Sequence, residues 1–343
     1  MHEPPFASVN EGLLRRAHHP FPRLALWLLI LNFSFWGTVF ADYHLAQNGT
    51  HVSRLNSEWS AKEAQEPIAI LFTGDIMLDR YIETLMERRG GSFPFTYMPN
   101  ILEAGKTVLG VMELDLVVGN VEGPISDSTY NNPGTAMRFN FKPAMAQLLA
   151  DVGFTTASLA NNHTLDQGPE AYTQSHDYLA AAGIEAFGHP DIANGPNTFI
   201  TYDFDGTTVG FLGFNDAVTR LDRAAALAKI DEVALTVDVL IVGIHWGIEY
   251  EATARTNIQE FAHQMVDHGV DFIWGHHPHV VQNSEVYNGA PIYYSLGNFV
   301  FDQYWSKATQ QGLVVALKIQ DGKLTTAEIP VDLVNQGEPK PRD

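Results

Sequence analysis

Three histidines stand within four residues in the stretch DFIWGHHPHVVQ, Asp271–Gln282, directly after a run with the character of a buried strand. His277 and His279 are two apart, and in an extended segment side chains two apart point to the same side. Two imidazoles so placed are a metal-ligand arrangement, while histidines capping backbone groups in a polar loop would read the same way. Ligands at other strand ends decide between the two. Apolar runs end on Gly74-Asp75, Asn120-Val121-Glu122, Asn161-Asn162-His163, Asn215-Asp216, His245-Trp246, Gly275 through His279, and Gly297-Asn298. Gly, Asn and Asp are ordinary turn residues, but histidine is not, and it occurs at three of these ends with carboxylates at three others. Carboxylate, amide and imidazole donors together suit Mn, Zn or Fe, and a chain with no cysteine has no thiolate site. Taken singly, each residue keeps a plain alternative: a helix cap for Asp75, a turn brace for Glu122, a core position for His245. Asp166 either orients the imidazole of His163 or starts the next helix. Arg80, five residues after Asp75, is either a grip for a substrate carboxylate or phosphate or a solvated residue of the first helix.

The elements that must position these residues alternate in type. IAILFTGD, LDLVVGNVE, FTTASLANNH, TVGFLGFND, DVLIVGIHWG, DFIWGHH and PIYYSLGNF are short, β-branched or aromatic runs, and PAMAQLLADVG and NIQEFAHQMVDHG carry helical periodicity. This is an α/β alternation, in which ligands bind beyond the carboxyl ends of the strands. QGLVVALKI and TTAEIPVDL are joined by QDGK, where Asp-Gly marks a hairpin, so part of the sheet is antiparallel. The tail 334–343, ending in QGEPKPRD, reads as loose.

The chain has 40 acidic and 20 basic residues and a formal net charge of −20. Nucleic acid is bound through neutralisation by Lys and Arg, so it is disfavoured as a partner. An anionic substrate needs a local cluster or metal ions. Near the start, LALWLLILNFSFWGTVFA, Leu24–Ala41, has no charge and follows Arg15, Arg16 and Arg23. That is the pattern of a transmembrane anchor or a signal peptide, with 1–23 as its cytoplasmic flank. The run is short for the roughly 20 residues a bilayer needs, and VFA before Asp42 offers a cleavage site, so both outcomes stay open. The main domain is expected outside the cytoplasm, at the cell membrane on a single span or secreted or periplasmic after cleavage. Residues 42–66 read as a linker and 67–333 as one domain.

The ordered set FTGDIMLDR, GNVEGPI, NNHTLDQG, HWGIEYE, GHHPHVVQ and YSLGNFVFD, from Pro67 to about Asp302, closely resembles the CapA-type poly-γ-glutamate capsule synthesis proteins, which are related to calcineurin-like metallophosphoesterases. The resemblance implies a metallophosphatase-like sandwich of two mixed β-sheets flanked by helices. It implies a role in making, anchoring or trimming an anionic γ-linked glutamate polymer, with membrane synthase subunits as partners. Carried over by residue, Asp75, Glu122, Asn162, His245, His277 and His279 are the expected ligands of one or two divalent ions, with Glu122 bridging. His163 is the expected catalytic residue with Asp166 behind it, and Arg80, Asn161 and Asn298 are expected to meet substrate. Two departures stand out: Met77 where the wider superfamily has histidine, and Glu122 where it has aspartate. They leave one metal position poorer in ligands, so three readings remain: a metal-dependent hydrolase of the polymer, a catalytically degenerate scaffold for polymer and synthase, and a generic exported metallophosphodiesterase.

Overall fold

The computed structural model describes residues 66–128, 137–218 and 220–342. The apolar run at 24–41 and the linker before residue 66 lie outside the described residues, among which no helix is long and apolar enough to cross a membrane. The unit from Gln65 to Asp343 contains the whole described fold.

Two mixed sheets are built as the alternation predicts. The first has the order β14-β13-β12-β1-β2-β3-β4, with β11 pairing on the end of β1. Its strands are β1 (Ile68–Ile76), β2 (Leu116–Val121), β3 (Thr156–Ser158), β4 (Glu185–Phe187), β11 (Asn298–Val300), β12 (Gln311–Gln320), β13 (Lys323–Val334) and β14 (Glu338–Pro341). The second has the order β5-β6-β7-β8-β10-β9, from β5 (Phe199–Phe204), β6 (Thr207–Asp216), β7 (Val239–Trp246), β8 (Phe272–His276), β9 (Ser284–Tyr287) and β10 (Ala290–Tyr293). Strands β1 to β4 and β6 to β8 run parallel, and the QDGK hairpin makes β12 and β13 antiparallel.

Period-two alternation explains the layering. In β1, Ile68, Ile70 and Phe72 face the second sheet and join Phe187, Phe211, Phe272 and Trp274 in a core made almost wholly of strand residues, with Leu296 of the β10 to β11 crossing. Ala69 and Leu71 face the other way, onto α1 (Arg80–Arg89), α2 (Met98–Leu109), α3 (Ala144–Asp151) and α4 (Pro169–Ala181). The second sheet turns its outer side to α5 (Arg223–Val233) and α6 (Thr256–Asp267). Both faces of the central strands are therefore buried, which is why they read as nearly continuous apolar runs.

Two details depart from the sequence reading. PIYYSLGNF is not one strand: β10 belongs to the second sheet and β11 to the first, so the chain crosses between sheets at Ser295 to Gly297. The crossing needs close backbone approach. A Cβ on Gly74 would lie 2.1 Å from the Gly297 carbonyl oxygen, which already accepts the Asp75 N–H at 3.0 Å. The second departure corrects the loose tail. Residues 338–341 form β14 on the edge of the first sheet, paired from Val334–Glu338 to Val331–Pro341. Asn335, Gln336 and Gly337 turn the chain with positive φ, and Glu338 is buried against the Asn335 amide. Pro339 and Pro341 argued against a strand, but prolines are tolerated on an edge.

On α4, burial lowers the pKa of His176 to about 4, and its Nε2 has no partner. Its ring meets Tyr172 edge-on at 4.8 Å. The unfolded chain takes up this proton near pH 6.5 and the folded one near 4, so stability held above that range declines as pH falls through it, by at most about 3 kcal/mol. The variant His176→Gln is expected to flatten urea midpoints between pH 6.5 and 4.5; an unchanged slope rejects the assignment.

Candidate metal centre

Parallel pairing sets Asp75 level with Asn120 in the first sheet and His245 level with His276 in the second. The β10 to β11 crossing sets Asn298 level with Asp75. Asp75 Oδ1 accepts from Asn120 Nδ2 at 2.8 Å, and its Oδ2 lies 3.3 Å from His279 Nδ1. That same nitrogen is 3.0 Å from Asn298 Oδ1, so the opposite edge of the ring, Nε2, is the one that comes to 3.7 Å from Glu122 Oε1. His245 Nε2 stands 3.8 Å from the same oxygen. Glu122 thus sits between two imidazoles, wholly buried.

The ligand atoms of Asp75, Glu122 and His245 lie within 4.8 Å of one another, as do those of Glu249, His277 and His279. Both Glu122 oxygens, His245 Nε2, His277 Nδ1 and Asn162 Oδ1 are shielded from solvent and have no hydrogen-bond partner among the described residues. A buried polar atom left unpaired costs about 1–3 kcal/mol, so the four on Glu122, His245 and His277, which fall within the two ligand groups, are tolerable where a cation satisfies them. The donor set, oxygen and imidazole only, fits a divalent transition ion.

The charges agree. Burial, then the neighbouring Asp75, pushes the Glu122 carboxyl well above the usual range. Burial and the facing imidazoles hold His245 well below its ordinary value, and burial lowers His276 and His277 to about 4. Burial opposes ionisation of Asp75 too, but the His279 hydrogen bond, the charges of His276 and His279, and the Asn120 amide prevail and hold it low. Burial thus favours the neutral form of the His245 and His277 rings, the form that ligates metal.

The premise of an extended His277-Pro278-His279 is corrected. β8 ends at His276, and φ is +94° at His277 and +56° at His279. The two rings, 6.1 Å apart, are aimed by a left-handed loop, at a backbone cost of about 1–3 kcal/mol per residue. Pro278 O accepts the N–H of Tyr250 at 2.8 Å and so fastens this loop to the one after β7. His276 is outside the ligand groups, with Nε2 3.4 Å from Thr73 O and its ring edge-on to Trp274.

His163 and Asp166 meet as the spacing allows: Nδ1 lies 2.8 Å from Oδ2, and the same oxygen accepts the Phe139 N–H at 2.7 Å. Phe139 covers the His163 ring at 4.2 Å. Asn161 and Asn298 are brought to the site but spend their groups inside the protein. Asn161 bonds Asn120, Val121 O, Thr164 and the His163 N–H, and Asn298 bonds His279, Gln303 and Thr309 O. The Asn298 amide is thus spent partly on the candidate ligand His279, and that of Asn161 on the segment that carries His163. Arg80 forks onto Asp302, through Nε at 3.0 Å and through Nη2, with its Cζ 5.4 Å from the Phe139 ring. Met77 turns into the core, and its sulfur accepts the Asp79 N–H at 3.2 Å.

Glu249 is the residue the sequence reading missed. It stands four after His245 in an irregular loop, with no spacing that ties it to a histidine; Gly247 and Tyr250, both at positive φ, aim it. Glu249→Gln is expected to weaken one class of bound Mn by about ten- to a hundred-fold in calorimetric titration. An unchanged isotherm excludes Glu249 as a ligand.

Residues 69–303 match the family described as Bacterial capsule synthesis protein PGA_cap. The chain is 30% identical over 293 residues to the PGA biosynthesis protein CapA of Bacillus subtilis (strain 168), covering 81% of this chain and 74% of that one. It is 28% identical over 296 residues to the capsule biosynthesis protein CapA of Bacillus anthracis, covering 80% and 70%. Among solved structures, a hypothetical protein from Thermus thermophilus shares the fold with a TM-score of 0.50 at 15% identity, over 77% of this chain and 99% of that one. With six strand-end motifs converging on one pocket inside the matched region, the chain belongs to the PGA_cap family of bacterial capsule synthesis proteins.

Proposed function

We propose that the chain is a metal-dependent hydrolase that trims or transfers poly-γ-glutamate during capsule synthesis, outside the cytoplasm and attached through, or released from, residues 24–41. The observation that carries the chemistry is the convergence of unpartnered, buried carboxylate and imidazole atoms beside the His163–Asp166 pair. The names of the relatives support the polymer. The apolar run and its arginine flank support export.

Asp75, Glu122, Asn162, His245, Glu249, His277 and His279 would hold one or two ions of Mn, Zn or Fe. When bound, such an ion polarises the electrophilic oxygen and lowers the pKa of its water toward about 7. The remaining work falls to the protein. Asp166 fixes the His163 ring through Nδ1, leaving Nε2 to give a proton to the departing group. Phe139 shields that ring on one face, and Asp302 holds the partly exposed Arg80 guanidinium near the Phe139 ring.

The test is incubation of the Mn-loaded full chain in detergent with poly-γ-glutamate and, separately, an aryl phosphodiester. New amino ends from the polymer are the expected result. Cleavage of the diester alone assigns a generic exported metallophosphodiesterase. Met77, buried in the core, favours a second reading, a degenerate scaffold for polymer and synthase subunits; polymer binding without cleavage of either substrate would establish it.

A further inference from the structure

We propose that the groove over the carboxyl ends of β6 and β7 is a subsite for successive carboxylates of an anionic γ-linked glutamate chain, leading it into the metal centre. The inference rests on the polymer reading above and adds the surface that recognises the substrate. The groove encloses about 530 Å³, and its walls include Asp216, Val218, Arg220, Arg223, Ile248 and Arg255. Three guanidinium groups line it: Arg223 is bound to Asp216 and Arg255 to Glu251, so Arg220 carries the unbalanced positive charge, in a chain with a net charge of −20. A local positive charge of this kind draws anions that the overall field repels.

Its position ties it to the chemistry. Asp216 is level with Trp246 in the β6–β7 ladder, one residue beyond His245. Ile248 precedes Glu249, whose carboxylate shares the 4.8 Å cluster with His277 and His279. The groove and the ligand cluster thus share the loop that follows β7.

The three arginines differ in freedom. Arg223 is a fixed wall: Nε and Nη2 donate to Asp216 Oδ2 at 3.0 and 2.8 Å, Nη1 donates to Asn257 O at 3.0 Å, and Phe261 lies 4.3 Å beneath. Arg255 pairs with Glu251 in the open, at 2.8 and 2.5 Å, and exposed pairs of this kind exchange partners at little cost. Arg220 is exposed and makes no ion pair or hydrogen bond among the described residues. A single phosphoester engages one such fork, whereas a polymer with a carboxylate on every residue engages several. The groove therefore fits the polymer better than a small ester.

The test uses the full chain in detergent and a fluorescent γ-linked glutamate decamer, read by anisotropy across a salt series. The double variant Arg220→Ala, Arg255→Ala is expected to bind about ten-fold more weakly with a shallower salt dependence. The matching double lysine variant is expected to recover part of the loss. Thermal midpoint and metal content, unchanged in both, verify the fold. Equal affinity and salt dependence in the alanine variant would overturn the groove while leaving the polymer reading intact. A wild type that does not bind the decamer would overturn the polymer reading, and the groove with it.

Discussion

The double variant His277→Ala, His279→Ala is expected to lose its bound metal and stay folded. Purified without chelator, the wild type should carry about one to two equivalents of a transition ion, and the variant less than about a tenth. The two imidazoles serve both ligand groups: His277 and His279 meet Glu249, and His279 also approaches Glu122 at 3.7 Å and Asp75 at 3.3 Å. Removing both therefore depletes each position, and affinity should fall by at least about a thousand-fold. Stability gives an independent reading. Metal at a thousand times its Kd stabilises the folded state by about 4 kcal/mol, so added Mn should raise the melting temperature of the wild type and not that of the variant. Without metal the variant should melt somewhat lower, because the His279 ring also meets Asn298 at 3.0 Å, Asp75 at 3.3 Å and Phe301 at 4.7 Å, and its loss leaves those buried groups short of a partner. Full metal content in the variant would sink the proposed ligand set. A wild type free of metal even after incubation with Mn and Zn would move the weight to the scaffold reading.

Much of this centre is legible in the sequence because parallel strands end together. Asp75, Glu122, His163, His245, His277 and His279 each close an apolar run, and an α/β sheet gathers those closures on one edge. What period-two reasoning could not supply was the loop geometry. It placed His277 and His279 on an extended strand, whereas the two φ values are positive and a loop does the aiming. Glu249 was invisible for the same reason, because an irregular loop brings it to the histidines without any local periodicity. Asn161 and Asn298 were legible as members of the site but not in their roles, since only the hydrogen bonds show that their amides are spent on His163, Thr164, His279 and Thr309. The tail failed on composition: Pro339 and Pro341 sit on the edge strand, where a missing donor faces no partner.

The largest effect on turnover is expected from His163→Ala, a loss of roughly a hundred- to ten-thousand-fold in kcat with metal content unchanged. The distinction matters because His163 is in neither ligand group, while its Nδ1 is committed to Asp166 at 2.8 Å. A residue that only braced the pocket would change metal affinity or KM together with kcat; a proton donor changes kcat alone. Asp166→Asn should cost less than His163→Ala, since the imidazole remains and loses only the partner that fixes its orientation. It should also loosen the segment at Phe139, whose N–H the same carboxylate oxygen accepts at 2.7 Å. In the double variant the losses should not add, because Asp166 acts on the leaving group only through the ring that His163→Ala removes. Kinetics of the two singles and the double, on whichever substrate the wild type cleaves, decide the matter. Additive losses would make Asp166 an independent contributor, and full turnover in His163→Ala would remove the general acid from the mechanism.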